Sequence, residues 1–312
     1  MGYRLKRKER VAKGVRRIVR EQLRSAIKAA RDRDVAQEER VHEVRTRLKR
    51  SRAALLMIHR RVGKAAERDV ERLRDTGRRL AHPRDLAVQA HTFRLLGSPR
   101  LQRELPSGLL AQLAKAERQI NLELRPKRVE RELRRTAKKL RALRDQLRGW
   151  KVTHGRRAVG KGVTTTYRKA RRALNEARRR PSPKRFHDWR KQVKALAYEL
   201  RIIGGAVPEL TTTLVPKVER LAEILGQVHD LDCAKATVAL HPRWFGRGGD
   251  GAAVMALVDE RRAQLEGEAL TLAESVFAGR AKDVRSLVEI GWDIWRKRGK
   301  RELSDIEQRA AG

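Results

Sequence analysis

His42-Glu43-Val44-Arg45-Thr46-Arg47-Leu48-Lys49 returns 145 residues later, from 42 to 187, as His187-Asp188-Trp189-Arg190-Lys191-Gln192-Val193-Lys194. The same shift carries Leu55 to Leu200, Leu80 to Leu225, and Asp85-Leu86 to Asp230-Leu231. His and Asp therefore stand 43 residues apart in both copies, from 42 to 85 and from 187 to 230. A basic octet recurs easily in an Arg-rich chain. A second coincidence downstream at the same shift does not. The spacing reads as an internal duplication, with halves at 1–150 and 151–312. The expected fold is all-α, two homologous helical halves in tandem, each of about four helices, with the boundary near Gly149–Gly160.

Arg, Lys, Ala, Leu and Glu dominate the intervening sequence, and all favour helix. The periodicity predicts helices over 9–32, 38–60, 64–95, 105–148, 157–179, 183–204, 210–240, 251–278 and 281–308. Gly97-Ser98-Pro99, Pro181-Ser182-Pro183, Gly204-Gly205 and the glycine-rich run 246–251 punctuate them. Pro83 and Pro126 fall inside predicted helices and should kink or interrupt them. Gly162-Val163-Thr164-Thr165-Thr166-Tyr167 is a β-prone run with helix-rich sequence behind it.

The histidine helices have an unusual charge placement. At about 100° per residue, with His42 at 0°, Arg45, Lys49 and Arg52 fall near 300°, 340° and 280°. Val44, Leu48 and Leu55 fall near 200°, 240° and 220° on the same wheel. His187, Arg190, Lys194, Tyr198 and Arg201 share an arc of about 80°, beside the apolar Trp189, Val193, Leu196 and Leu200. A stripe meant only for solubility would centre on the far face. These stripes flank the core, so they point into grooves between packed helices, and two facing grooves would join into one basic channel. The plain alternative is a solvated helix face with ordinary salt bridges.

The paired His-x-x-Arg-x-x-x-Lys helices, each followed by a helix ending in Arg84-Asp85-Leu86 or His229-Asp230-Leu231, resemble the CHAD domain, the conserved-histidine α-helical family, from about Gly14 to about Phe277. The resemblance implies two pseudo-symmetric four-helix bundles that bind inorganic polyphosphate through basic residues of the groove between them, and an association with polyphosphate granules. By motif it implicates His42, Arg45, Lys49, His187, Arg190 and Lys194. Pro83, just before Arg84-Asp85, departs from a continuous helix at that point.

Composition points the same way. The 312 residues carry 77 Lys+Arg against 38 Asp+Glu, a net charge of +39, which calls for a polyanionic partner. Polyphosphate needs cationic donors and no base readers: Arg contributes planar bidentate contacts, Lys a compact ammonium, and His a donor whose charged form nearby phosphate favours. Affinity should therefore rise as pH falls through the histidine range and drop with salt. Arg52, Tyr198 and Arg201 join the candidates from the stripes. Arg20, Arg168 and Arg171 join from the helices that precede them, chosen among Arg16, Arg17, Arg156, Arg157 and Lys161. Asp85 and Asp230 are read as carboxylates that orient the cations rather than touch phosphate, an ordinary bundle salt bridge being the alternative. His59, His82, His91, His154 and His241 are read as surface or core residues.

Aromatics make up 4% of the chain, too few for a base-stacking surface, and no zinc-finger or RNP-like pattern occurs. Binding to a nucleic-acid backbone stays open as the alternative. Enzyme readings find no support. Glu39-x-x-His42 lacks its partner, since Lys184 stands at the matching position of the repeat. Gly160-Lys161 lacks the following Ser or Thr of a phosphate loop. Glu266-Gly267-Glu268 lacks the lysine of a triphosphate-tunnel motif. Neither catalytic residues, nor a metal site, nor a cofactor is expected. Cys233 alone excludes an internal disulfide. No apolar run reaches the ~18 residues of a membrane span, and Met1-Gly2-Tyr3-Arg4-Leu5-Lys6 has no apolar stretch of a secretory signal behind it. The expected location is cytoplasmic, at polyphosphate granules. Nothing in the sequence sets the oligomeric state.

Overall fold

A computed structural model describes residues 2–58, 64–98, 105–147, 155–245 and 250–310. Its helices are α1 (Val11–Arg31), α2 (Gln37–Ile58), α3 (Lys64–Arg78), α4 (Ala81–Leu96), α5 (Ser107–Glu123), α6 (Pro126–Gln146), α7 (Gly155–Arg179), α8 (Pro183–Ile203), α9 (Pro208–Leu240), α10 (Asp250–Val276) and α11 (Ala281–Ala310). A 3-10 turn at Pro242–Phe245 follows α9. No strand occurs among the described residues, and no helix among them is long and apolar enough to cross a membrane. His59 and His154 lie outside the described residues, as do most of the 246–251 run and the first part of the expected boundary.

The two predicted helices that contain Pro83 and Pro126 are interrupted, as the prolines lead one to expect. The stretch 64–95 breaks at Arg79-Leu80, which puts Pro83 in the opening turn of α4. The first N–H groups of a helix have no intrahelical partner, so proline is tolerated there. The stretch 105–148 breaks at Leu124-Arg125, and Pro126 opens α6. Pro216, by contrast, lies within α9. Burial of Val215, Val218 and Leu221 on one side holds that helix together through it. The β-prone run Gly162–Tyr167 is helical because Val163, Thr164 and Tyr167 sit on the buried face of α7, and tertiary packing overrides propensity.

The apolar arcs read from the sequence are the core-facing arcs. Val44, Leu48, Leu55, Trp189, Val193, Leu196 and Leu200 are all buried. Helices α1, α2, α3 and α6 pack on one another; α8 packs on α7 and α9, α10 on α9, and α11 on α7. The two groups are joined where α2 lies on α7 and α8, where α4 lies on α9, and where α5 meets α10 and the 3-10 turn. Their buried apolar side chains form one continuous cluster, from Leu23 and Leu48 through Val163 to Trp189 and Leu225. Arg40 was not singled out in the sequence. It is buried, donates to the Ala30 carbonyl at 2.7 Å, and pairs with Glu130 at 2.8 Å, which satisfies a C-terminal carbonyl of α1 and ties it to α6.

The α2–α7 crossing depends on a missing side chain. A Cβ on Gly162 would stand 2.1 Å from the Met57 carbonyl oxygen, so the two backbones are in contact. Gly162→Ala is expected to lower stability by about 2 kcal/mol or more, because backbone must shift to admit the methyl group; thermal unfolding within a degree of wild type would show that the crossing yields freely.

Glu199, on the core side of α8, is 1% exposed. One carboxyl oxygen accepts from the Thr166 hydroxyl at 2.9 Å, and the other has no partner. Burial pushes the carboxyl up to about 8. Its folded value exceeds the unfolded one, so its contribution is fully present below about pH 4.5 and is lost as pH rises to 8. Glu199→Gln should remove this slope, making the variant about 3 kcal/mol more stable than wild type at pH 8 and no more stable near pH 4. Parallel urea curves at the two pH values would measure the difference.

Candidate functional site

The packing of α2 along α8 brings the two basic stripes face to face. Lys49 of α2 and Lys194 of α8 are half-buried neighbours. Around them stand Arg45 of α2, Arg190 of α8 and Arg84 at the start of α4. None of Arg45, Lys49, Arg190 and Lys194 has a carboxylate within ion-pair distance among the described residues. Other arginines do find carboxylates: Arg17 meets Glu9, Arg94 meets Glu117 and Arg262 meets Asp232 at 2.6 Å each. Arg45 donates through Nη1 to the Gly77 carbonyl of α3 at 3.1 Å, but its Nε and that of Arg190 are buried without an acceptor. A buried cationic donor without a partner is expensive to maintain.

The titrating groups register this crowding. Burial, and then the charges of Lys194, Arg45 and Arg190, bring Lys49 down to about 7. Burial and Arg190 bring Lys194 down to about 8, against an upward pull from Asp230. His42 has an exposed edge, yet the packed shell behind it lowers it, helped by Arg84, Lys194 and Lys49. His187 is lowered by burial and by Lys191 and Arg190. Both shifts run opposite to the one that a bound phosphate would impose.

His187 faces a group that the sequence reading placed only in the motif. Its Nδ1 lies 3.2 Å from Nδ1 of His229 on α9, and His229 is pushed down to about 4 by burial, Arg190 and His187. The Cys233 sulfur lies 3.9 Å from the other ring nitrogen of His229, and burial raises that thiol to about 11. Among the described residues no three His, Cys, Asp or Glu side chains form a metal-holding group.

Asp85 and Asp230 lie beside the cluster. Burial raises both, opposed by Arg45 and Lys49 at Asp85, which keeps an open edge to solvent, and by Arg190 and Lys194 at Asp230. Neither makes an ion pair or hydrogen bond among the described residues, so they act on the cations through space and not by direct contact.

The remaining candidates are spread more widely. Arg52 points toward Arg74 and Arg78 of α3, which lower it after burial, and extends the basic strip that way. Tyr198 lies near Arg50, Arg201 and Arg190, with Tyr3 edge-on at 6.4 Å between ring centres. Arg201 is bound to Glu219, which neutralises it. Arg168 and Arg171 are exposed on α7; Arg171 acts on Tyr167, next to Asp283 of α11. Arg20 is half-buried on α1. None of Arg20, Arg168 and Arg171 is among the charges that shift the central lysines and histidines. His82 and His91 are exposed, near Asp85 and Asp230 respectively, and His241 stacks on Trp244 at 4.0 Å.

Arg84 and His229 are the residues the reading passed over. The 145-residue shift relates them to each other, and each immediately precedes a repeated aspartate. That shared position was the available signal. A groove of about 550 Å³ between α7 and α8 is lined by residues such as Lys169, Arg172 and Lys184, away from the facing stripes.

The profile described as CHAD domain matches residues 17–239, and the chain belongs to that family. Among solved structures it is similar to the CHAD domain from the plant Ricinus communis, at 17% identity over 91% of this chain and 93% of that one, with a TM-score of 0.48. No curated protein matches the chain.

The lysine cluster generates a stability prediction. The folded value of Lys49 lies below its unfolded value, so between about pH 7 and 10.5 the unfolded chain holds the extra proton and stability rises with pH. Lys49→Met should therefore be more stable than wild type at pH 6, by about 2 kcal/mol. The gap should close above about pH 10, where lysine is neutral in both states. Denaturant unfolding at the two pH values checks the sign.

Proposed function

We propose that this chain binds inorganic polyphosphate, without acting on it chemically, along the seam where α2 meets α8. The observation that carries the reading is the set of central cations, Arg45, Lys49, Arg190 and Lys194, which converge without carboxylate partners. A linear chain of phosphates supplies the missing acceptors at regular intervals. The Arg45 and Arg190 guanidiniums suit its oxygens in bidentate geometry, and the lysines add point charge. Tyr198 is partly covered and meets Tyr3 edge-on, so it offers a hydroxyl rather than a stacking face, which favours a phosphate chain over a nucleic acid. In a cell this binding would carry the protein to polyphosphate-rich bodies.

Binding is coupled to protonation. An anion in the seam restores Lys49 and Lys194 from about 7 and about 8 toward the ordinary lysine value, so the complex takes up protons above neutrality. It also raises His42 and His187, which adds proton uptake below pH 7. Affinity should fall roughly 10- to 100-fold from pH 7 to pH 9, and it should weaken with salt as counter-ions are released.

Calorimetric titration with long-chain polyphosphate, in competition with tRNA and duplex DNA, tests the assignment. Arg45→Glu and Arg190→Glu should each lower affinity by about tenfold or more, whereas Arg168→Glu, outside the cluster, should change it less than about threefold. Equal losses at all three positions would reduce binding to diffuse charge. A preference for nucleic acid that survives the glutamates would reject the reading.

A further inference from the structure

The outer face of α11 is self-complementary. Asp283, Leu287, Ile290, Ile294 and Lys297 follow one another at helical spacing and fall within an arc of roughly 80°. Leu287 is 50% exposed, Ile290 58% and Ile294 48%. The inner face, with Val284, Val288 and Trp292, is buried, and the helix rests on α7 and on the turn at 204–207. About half of the aliphatic strip's surface is therefore left uncovered by this chain. No other element of the described structure carries three exposed large apolar side chains.

The charges around the strip select its occupant. Asp283 stands seven residues before Ile290 and Lys297 seven after it. A second α11 laid antiparallel about Ile290 sets Leu287 of one copy against Ile294 of the other, and Asp283 against Lys297, both twice by the two-fold axis. A parallel neighbour sets Asp283 on Asp283 and Lys297 on Lys297. The flanks are neutralised within the chain: Arg285 pairs with Glu289 at 2.8 Å, and Arg156 pairs with Asp293. Arg280 holds Asp283 at 3.0 Å, but both are exposed and free to exchange partners. On a molecule of net charge +39, this is a face where a second copy meets apolar surface with opposite charges at its ends.

We propose that a second copy of this chain docks antiparallel on the α11 strip, forming a two-fold dimer. One helix face offers less than the ~800 Å² per partner of a standard interface, so the dimer is weak. Repulsion between two strongly cationic bodies opposes it, and salt that shortens the screening length relieves that repulsion. The proposal is independent of polyphosphate binding.

Sedimentation equilibrium of the full chain in about 0.5 M salt, from about 10 to 500 µM, tests it. The average mass should climb from 35.8 kDa toward twice that value. Leu287→Glu with Ile294→Glu should stay monomeric while its helical content and melting temperature hold, since both positions are exposed. Asp283→Lys and Lys297→Asp should each weaken association by about fivefold, and the double variant should return to within about twofold of wild type. A wild-type chain that stays monomeric at the highest concentration overturns the proposal and leaves the strip to a partner of different sequence. A dimer that survives the two glutamates, or single charge changes that the double variant fails to rescue, overturns it as well.

Discussion

Like charges meet where α2 lies along α8, and the surrounding packing keeps them there. Lys49, Lys194, Arg45 and Arg190 would separate if their helices could drift. Their helices are fixed by what lies beneath: Leu48 and Val44 on one side, Trp189 and Val193 on the other, all buried in the same apolar cluster. The contact of Gly162 with the Met57 carbonyl holds α7 against α2, and α8 packs on both. Hydrophobic burial thus does work against electrostatic repulsion, and the repulsion remains stored in the seam.

The two kinds of cation respond differently to that storage. A lysine can release its proton, and Lys49 and Lys194 are brought near neutrality. An arginine effectively cannot, so Arg45 and Arg190 keep their charge along with a buried N–H that has no acceptor. Asp85 and Asp230 temper the field without cancelling it, because neither closes to ion-pair distance. A carboxylate bound directly to these arginines would make the fold more comfortable and the seam less receptive to an outside anion.

The histidine pair illustrates how far neighbouring residues decide a residue's state. Its place on the stripe makes His187 a candidate phosphate donor. In the fold its ring meets His229, and one of the two facing nitrogens must be unprotonated for that contact to be favourable. His229 is neutral well below physiological pH. Arg84, which holds the corresponding place in the first half of the chain, is the central charge that the motif reading undervalued.

The helical character, the core-facing arcs of α2 and α8, and the place of Arg45, Lys49, Arg190 and Lys194 beside those arcs were legible in the chain, because a period of 3.6 residues maps a linear pattern onto a helix face without further information. The breaks at Pro83 and Pro126 followed from the same local rules, since proline cannot donate its backbone nitrogen. What the pattern could not carry was distance between helices. Only the packing of α2 on α8 decides that Lys49 faces Lys194, that Arg201 is neutralised by Glu219, and that Arg168 and Arg171 lie outside the central cluster. Those outcomes depend on contacts between residues far apart in sequence, and on desolvation, which no single segment determines for itself.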